Sequence, residues 1–258
     1  MFKIKGKISN RQYLILIIAS FAAIFIIWTV LTALQLVDPV FLPGPKRVWD
    51  YFIASVQDGT LLSNVIISCQ RIFFGVVLAT VLAVPFGIMC GIFPFFEAIT
   101  RPLCEFVRYM PVPAFVPLVM VWIGIGEDAK VALLFMGTFF QMILMIADDA
   151  SSVSDDLLNS GYTLGSTKWQ SIVKILIPAT LPRMIDTLRM MIGWAWTYLV
   201  VAEMVAANSG LGYSIIKAQR FLKTDAIFTG ILVIGILGLI TDRIMVAMNK
   251  LLFPWREG

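Results

Sequence analysis

The apolar residues of this chain come in blocks of about twenty, the length a helix needs to cross roughly 30 Å of hydrocarbon at 1.5 Å per residue. Scattered apolar residues would carry no such meaning. Hydrophobic residues make up 59% of the chain and charged residues 14%, with a mean hydropathy of +0.90. A soluble domain keeps about a quarter of its residues charged to cover its surface, and this chain cannot do so.

The first apolar run covers 13–37, behind Lys3, Lys5, Lys7 and Arg11. It is too long for the core of a secretory signal, and no small-x-small cleavage site follows it. It therefore reads as a retained helix with the N-terminus held in the cytoplasm. A loop over 38–63 follows, punctuated by Leu42-Pro43-Gly44-Pro45, with a short surface helix expected at 48–55. The second span is expected at 64–93, containing Arg71, Pro85 and Gly87. Residues 94–109 read as a short charged connection carrying Glu97, Arg101, Glu105 and Arg108. The proline-rich stretch 110–125 reads as a broken or tilted helix, tolerable in lipid where protein or a cavity satisfies the freed backbone. After a tight turn, the fourth span is expected at 131–147. A polar segment at 148–182 has an amphipathic second half with Trp169, Ile172, Val173 and Leu176 on one face. Spans five and six are expected at 185–207 and 226–248.

The fold class expected is thus an all-α integral membrane protein of about six transmembrane helices, forming one domain over 1–258 with both termini cytoplasmic. Under that topology thirteen basic residues fall inside (Lys3, Lys5, Lys7, Arg11, Arg101, Arg108, Lys168, Lys174, Arg183, Arg189, Arg243, Lys250, Arg256) and six outside. This is the bias that orients membrane proteins.

The net charge of +4 implies no nucleic-acid partner, because the basic residues sit at span borders and form no basic–aromatic stripe. Cys69, Cys90 and Cys104 have neither metal-ligand nor disulfide spacing. The chain contains no histidine, which removes Ser–His and Cys–His catalytic pairs and histidine-ligated haem. No phosphate loop occurs; the nearest string, Gly161 through Lys168, has the wrong spacing. No catalytic, metal or cofactor residues are assigned.

The polar segment reads Asn159-Ser160-Gly161-Tyr162-Thr163-Leu164-Gly165-Ser166-Thr167-Lys168-Trp169, then Ile175-Leu176-Ile177-Pro178-Ala179-Thr180-Leu181-Pro182. A short helix, a glycine that permits a sharp bend, and a second helix stopped by two prolines would make a rigid knob. This pattern resembles the coupling loop of permease subunits of bacterial ATP-binding-cassette importers. Gly165, Pro178 and Pro182 fit that signature, while Asn159, Ser160 and Gly161 stand where the family has Glu-Ala-Ala. Tyr109-Met110-Pro111-Val112-Pro113, Trp122-Ile123-Gly124-Ile125-Gly126-Glu127, Gly193-Trp194-Ala195-Trp196, Val201-Ala202-Glu203-Met204 and Gly210-Leu211-Gly212-Tyr213 look like the branch importing nitrate, bicarbonate, taurine and alkanesulfonates. The Gly-Leu-Gly loop and Leu222-Lys223-Thr224-Asp225 are closer to its sulfonate and taurine permeases. The resemblance covers residues 28–255.

That resemblance implies a type I importer permease fold and a non-enzymatic transport subunit in the bacterial cytoplasmic (inner) membrane. Two copies would pair, two cytoplasmic subunits would bind ATP and Mg, and an extracytoplasmic solute-binding protein would deliver the substrate. It also implies that the 148–182 loop, through Asn159, Ser160, Gly161, Thr163, Leu164, Gly165, Ser166, Trp169, Pro178 and Pro182, couples to the ATPase. A self-sufficient secondary transporter is the alternative; it would want repeated halves, and no internal repeat is visible. Ionisable groups in lipid face protein or water, so Arg71 and Glu203, placed at similar depth, are expected to pair. That pair reads either as a packing bridge or as part of an anion pathway. Gln141, Trp194 and Trp196 are further candidates for the pathway, with interhelical packing as the other reading. Arg189 is expected to snorkel to the cytoplasmic border, and Asp148-Asp149 to be solvated border charges.

Overall fold

The computed structural model describes residues 9–204 and 207–254, and every regular element among them is helical. Lys3, Lys5, Lys7, Trp255 and Arg256, on which part of the orientation and of the resemblance rests, lie outside the described residues. Helix α1 (Asn10–Ala33) is opened by a capping box, in which Ser9 Oγ accepts from the Gln12 N–H and Gln12 Oε1 from the Ser9 N–H. It is apolar all round and exposed over most of its length, with only Trp28, Leu31 and Thr32 partly covered, as befits a helix largely facing lipid. Trp28 ties it to the body: its Nε1 donates to the Pro43 carbonyl at 2.9 Å and its ring stacks on Phe228. Helix α2 (Pro45–Gln57) follows, longer than the surface helix expected there.

The bundle is built on α3 (Thr60–Ile92), α6 (Glu127–Ser151), α9 (Ile177–Met204) and α11 (Thr224–Leu252). Helix α3 presents Gly75, Ala79, Ala83, Gly87 and Gly91 at every fourth position, so these small residues form one stripe along its axis. Small side chains let backbones approach where lipid supplies no hydrophobic drive to association. Here α6 fills the stripe. A Cβ on Gly75 would lie 2.6 Å from Leu134 Cβ, on Gly87 2.7 Å from Ile146 Cβ, and on Gly91 2.4 Å from the Ala147 carbonyl oxygen. Gly91→Ala is therefore expected to destabilise the bundle by about 1–3 kcal/mol, because the clash is with backbone that cannot rotate away. Gly193→Ala, where nothing lies within 4 Å, is the control. Equal melting temperatures for the two purified variants would rule this packing out.

Residues 94–109 are not the connection expected. They form helix α4 (Pro94–Arg108), with Pro94 in its first turn, Glu97 near its start and Arg108 in its last turn. Its charged positions leave a second face of Phe95, Ile99, Leu103 and Phe106. Helix α5 (Val112–Ile123) bends away by 101° after a three-residue break. Twelve residues span only about 18 Å, so α5 cannot cross a bilayer alone. Among the described residues four helices (α1, α3, α6, α11) are long and apolar enough to cross, or five if the α4–α5 pair is one span. Helix α9 has the length, but Arg183, Asp186 and Arg189 crowd its first half.

The second helix of the polar segment is also not stopped by Pro178 and Pro182. Helix α7 (Asp155–Thr163) and the single turn α8 (Lys168–Ser171) lead into a π turn (Ile172–Leu176), and α9 begins at Ile177 and runs through both prolines. A proline lacks the N–H that the preceding turn needs. The wider turn absorbs the mismatch: the Ile177 N–H reaches back five residues to the Ile172 carbonyl, just before Pro178. Helix α10 (Leu211–Arg220) occupies the loop before α11.

Candidate functional site

Three constellations hold the sequence-predicted residues. The first is a knob. Gly165 adopts φ +84°, a conformation that favours glycine, and turns the chain between α7 and α8. Thr167 and Gln170 close a capping box on α8, and the Ser166 and Ser171 hydroxyls meet at 2.7 Å. Gly161 is buried under Ile175, so closely that an added Cβ would lie 2.3 Å from Ile175 Cδ1. The knob thus has its own small interior, and it leaves Leu164 (89% exposed), Trp169 (72%) and Tyr162 outside it. Asn159, Ser160 and Thr163 are exposed, and the two hydroxyls bond back to the carbonyls of Asp156 and Asn159.

The second is a buried ion cluster at the Glu127 end of the bundle. Arg71, 2% exposed, donates through Nε and Nη2 to both carboxylate oxygens of Glu127 (2.6 and 2.7 Å), and through Nη1 to Glu203 Oε1 (2.7 Å) and the Ser209 carbonyl (2.8 Å). Glu203, fully buried, also accepts from Ser68 Oγ (2.8 Å) and from the Gly212 N–H (2.7 Å). The Gly210 N–H donates to Asn64 Oδ1, the Leu211 N–H to Ser68 Oγ, and Lys130 to Glu127. Every polar atom of Glu203 and Arg71 has a use, and two cations balance two carboxylates. The cluster staples the 207–212 loop onto α3, α6 and α9. Gly210, at φ +111°, leaves the space: a Cβ there would sit 2.4 Å from the Glu203 carboxylate. Sequence reasoning paired Arg71 with Glu203 by depth; it missed Glu127, which reads as a loop charge beside Gly126.

The third is a small cavity about a third of the way along α6 from Asp148 towards Glu127. Gln141 and Trp194 line it with Arg108, Met110, Phe140 and Tyr198, around about 30 Å³. Trp196 is elsewhere, buried with its Nε1 donating to Thr241 Oγ1 at 3.1 Å on α11. Arg108, assigned to a border connection by its sequence neighbours, is instead level with Gln141, because α4 is a helix that runs along α6.

At the far end of the bundle, Arg101 binds Asp148 (2.8 Å), Thr187 binds Asp149 (2.7 Å) and Arg183 contacts Ser152. The Asp148-Asp149 pair is therefore split: Asp148 is exposed, while Asp149 is partly buried against α9. Arg189 forms an ion pair with Asp242 of α11, Nη2 to Oδ2 at 3.1 Å, rather than standing free.

Against known proteins, the model of the family described as binding-protein-dependent transport system inner membrane component matches residues 83–254. The taurine transport system permease protein TauC of Escherichia coli (strain K12) is 30% identical over 98% of this chain and 94% of its own length. The putative aliphatic sulfonates transport permease protein SsuC of Bacillus subtilis (strain 168) is 32% identical, over 92% of this chain and 86% of its own. An inward-facing structure of the MetNI methionine ABC transporter superposes with a TM-score of 0.64 at 17% identity, covering 75% of this chain and 96% of that one. That likeness concerns the fold.

Proposed function

The chain belongs to the family of binding-protein-dependent transport system inner membrane components, and on that premise we propose that it is the permease subunit of an ATP-driven importer for a small organic anion of the sulfonate class. The observation that carries the substrate class is alignment along nearly the whole chain with permeases named for taurine and for aliphatic sulfonates. Nitrate and bicarbonate are the other anions to test.

In this reading α1, α3, the α4–α5 pair, α6, α9 and α11 are six crossings, and both termini share the cytoplasmic side of the cell membrane with the knob. The whole chain is one permease domain, and its coupling segment is 152–176, shorter than the 148–182 expected because α6 and α9 extend into both ends. Two cytoplasmic subunits carry ATP and Mg, two copies of this chain form the path, and a solute-binding protein docks outside. This chain hydrolyses nothing. When the ATPase pair closes, its motion enters at Leu164 and Trp169. It passes through the Gly161–Ile175 contact into the π turn and α9, tilting the helices that carry Trp194. Gln141 and Trp194 face the path. Arg71 and Glu203 act as a clamp, since their hydrogen-bonding capacity is already filled. Trp196 is packing against α11.

The test is uptake of labelled taurine by the complex isolated through a tag on this chain and reconstituted in liposomes. Uptake is expected to need ATP, Mg and the binding protein. Ion-gradient-driven uptake by the chain alone would overturn the reading in favour of a secondary transporter.

A further inference from the structure

The register of α4 against α6 fixes the depth of Arg108. Arg101 meets Asp148, and Arg108 shares a cavity with Gln141; seven residues up one helix match seven down the other. Helix α9 is in step too, with Thr187 on Asp149 and Gly137 against the Tyr198 ring, which puts Trp194 at the same level. At 1.5 Å per residue, Arg108 stands about 10 Å inside the bundle from Asp148. Glu127, at the opposite end of α6, is fourteen residues beyond Gln141, or about 21 Å. The Arg108 backbone is therefore level with the interior of the bundle, between its two charged ends rather than at either of them.

An arginine at that depth needs a partner or water. Arg71, Arg101 and Arg189 each hold a carboxylate. Arg108 holds none among the described residues: its Nη2 donates to the Tyr109 hydroxyl at 3.0 Å and its guanidinium lies over that ring, 4.9 Å from the centroid. It stands where α4 breaks and α5 turns off by 101°, with the positive end of the α5 dipole facing the same break. The cavity it lines has room for a water or two. Arg108, Tyr109 and Trp194 are also exposed on the flank of the chain, so the space beside them opens outward from this copy.

We propose that Arg108 is the anion-recognition residue of the translocation path, binding an oxyanion head such as a sulfonate through its planar fork, with Gln141 donating beside it and Trp194 covering the apolar part. A guanidinium left without a carboxylate keeps its donors for two oxygens of one anion. Arg71 cannot take this part, because two carboxylates already fill its fork. The inference rests on the importer reading above and adds the residue that selects charge.

The experiment is taurine uptake by the reconstituted complex carrying Arg108→Gln or Arg108→Lys, with ATP hydrolysis and thermal stability measured on the same preparations. Arg108→Gln is expected to lower uptake by about tenfold or more, with ATP hydrolysis retained, and Arg108→Lys to recover part of it. A residue that only capped the end of α4 would shift stability and leave the concentration dependence of uptake alone. Uptake by Arg108→Gln with wild-type KM and rate overturns the inference and leaves the importer reading standing. A wild-type complex that imports neither taurine nor any alkanesulfonate overturns the substrate class, and the inference with it.

Discussion

Arg71→Met is expected to cost about 3–5 kcal/mol of stability, the largest effect of any single change in the bundle. The loss would come less from the bonds removed than from the charge left behind. Glu203 is fully buried and would keep only the Ser68 hydroxyl and the Gly212 N–H against its negative charge. Glu127 would keep Lys130, and because Glu127 is itself largely exposed its share of the penalty is small. The Ser209 carbonyl would lose its donor as well, leaving Asn64 and Ser68 to hold the 207–212 loop on α3. Adding Glu203→Gln to Arg71→Met should restore much of the loss, since the amide keeps partners for its oxygen without a charge to solvate. Arg71→Lys should fall between, because an ammonium cannot reach Glu127, Glu203 and Ser209 in the plane of one fork. Thermal unfolding of the purified variants reads all three. An Arg71→Met chain that melts like the wild type, or a double variant worse than the single one, would show that the cluster is not what holds this end together.

The second large effect is expected at the knob and should spare the fold. Trp169 and Leu164 are more exposed than any buried role allows, and they flank Gly165 on an otherwise polar turn. Large apolar side chains held rigidly in water mark a contact surface, and tryptophan is prominent among residues that dominate such contacts. Trp169→Ala should weaken partner binding by about 2 kcal/mol or more, a factor of about thirty. Leu164→Asp should do likewise by placing a charge in the contact. Both variants should purify and melt normally, because neither side chain packs inside the chain. Gly161→Val is the contrast: its branch would collide with Ile175 and distort the knob itself. Retention of the ATPase subunit on a tagged Trp169→Ala chain through detergent washing, at wild-type levels, would contradict this surface assignment.

Much of the fold was legible because long apolar blocks mean helices irrespective of what they pack against. Helices α1, α3, α6 and α11 lie where the blocks are, displaced at their ends by a few residues. Helix α6 starts four residues before the expected 131 because Glu127 and Lys130, which look like loop charges, are neutralised by each other and by Arg71. That compensation comes from a helix 56 residues away and has no local signal. Helix α4 lacks such an apolar block: its charges read as a membrane border, and only the recurrence of Phe95, Ile99, Leu103 and Phe106 signals a helix there. Missing α4 also misplaced Arg108. The Gly75–Ala79–Ala83–Gly87–Gly91 stripe is a period of four absent from the reading of the second span above, and it marks the face that receives α6. The passage through Pro178 and Pro182 could not be foreseen, because a π turn has no compositional signature and prolines ordinarily predict a stop. At the site, depth sufficed to match Arg71 with Glu203, but the backbone groups of 209–212 that complete the cluster carry no side-chain identity to read.

The most direct measurement places a photo-activatable cross-linker at position 164 in the intact membrane of the native host. The account predicts that irradiation joins this chain to a nucleotide-hydrolysing subunit on the cytosolic face, and that adding nucleotide changes the yield. Capture of a protein outside the cell membrane, or labelling of that position in whole cells by a reagent that cannot enter, would contradict it.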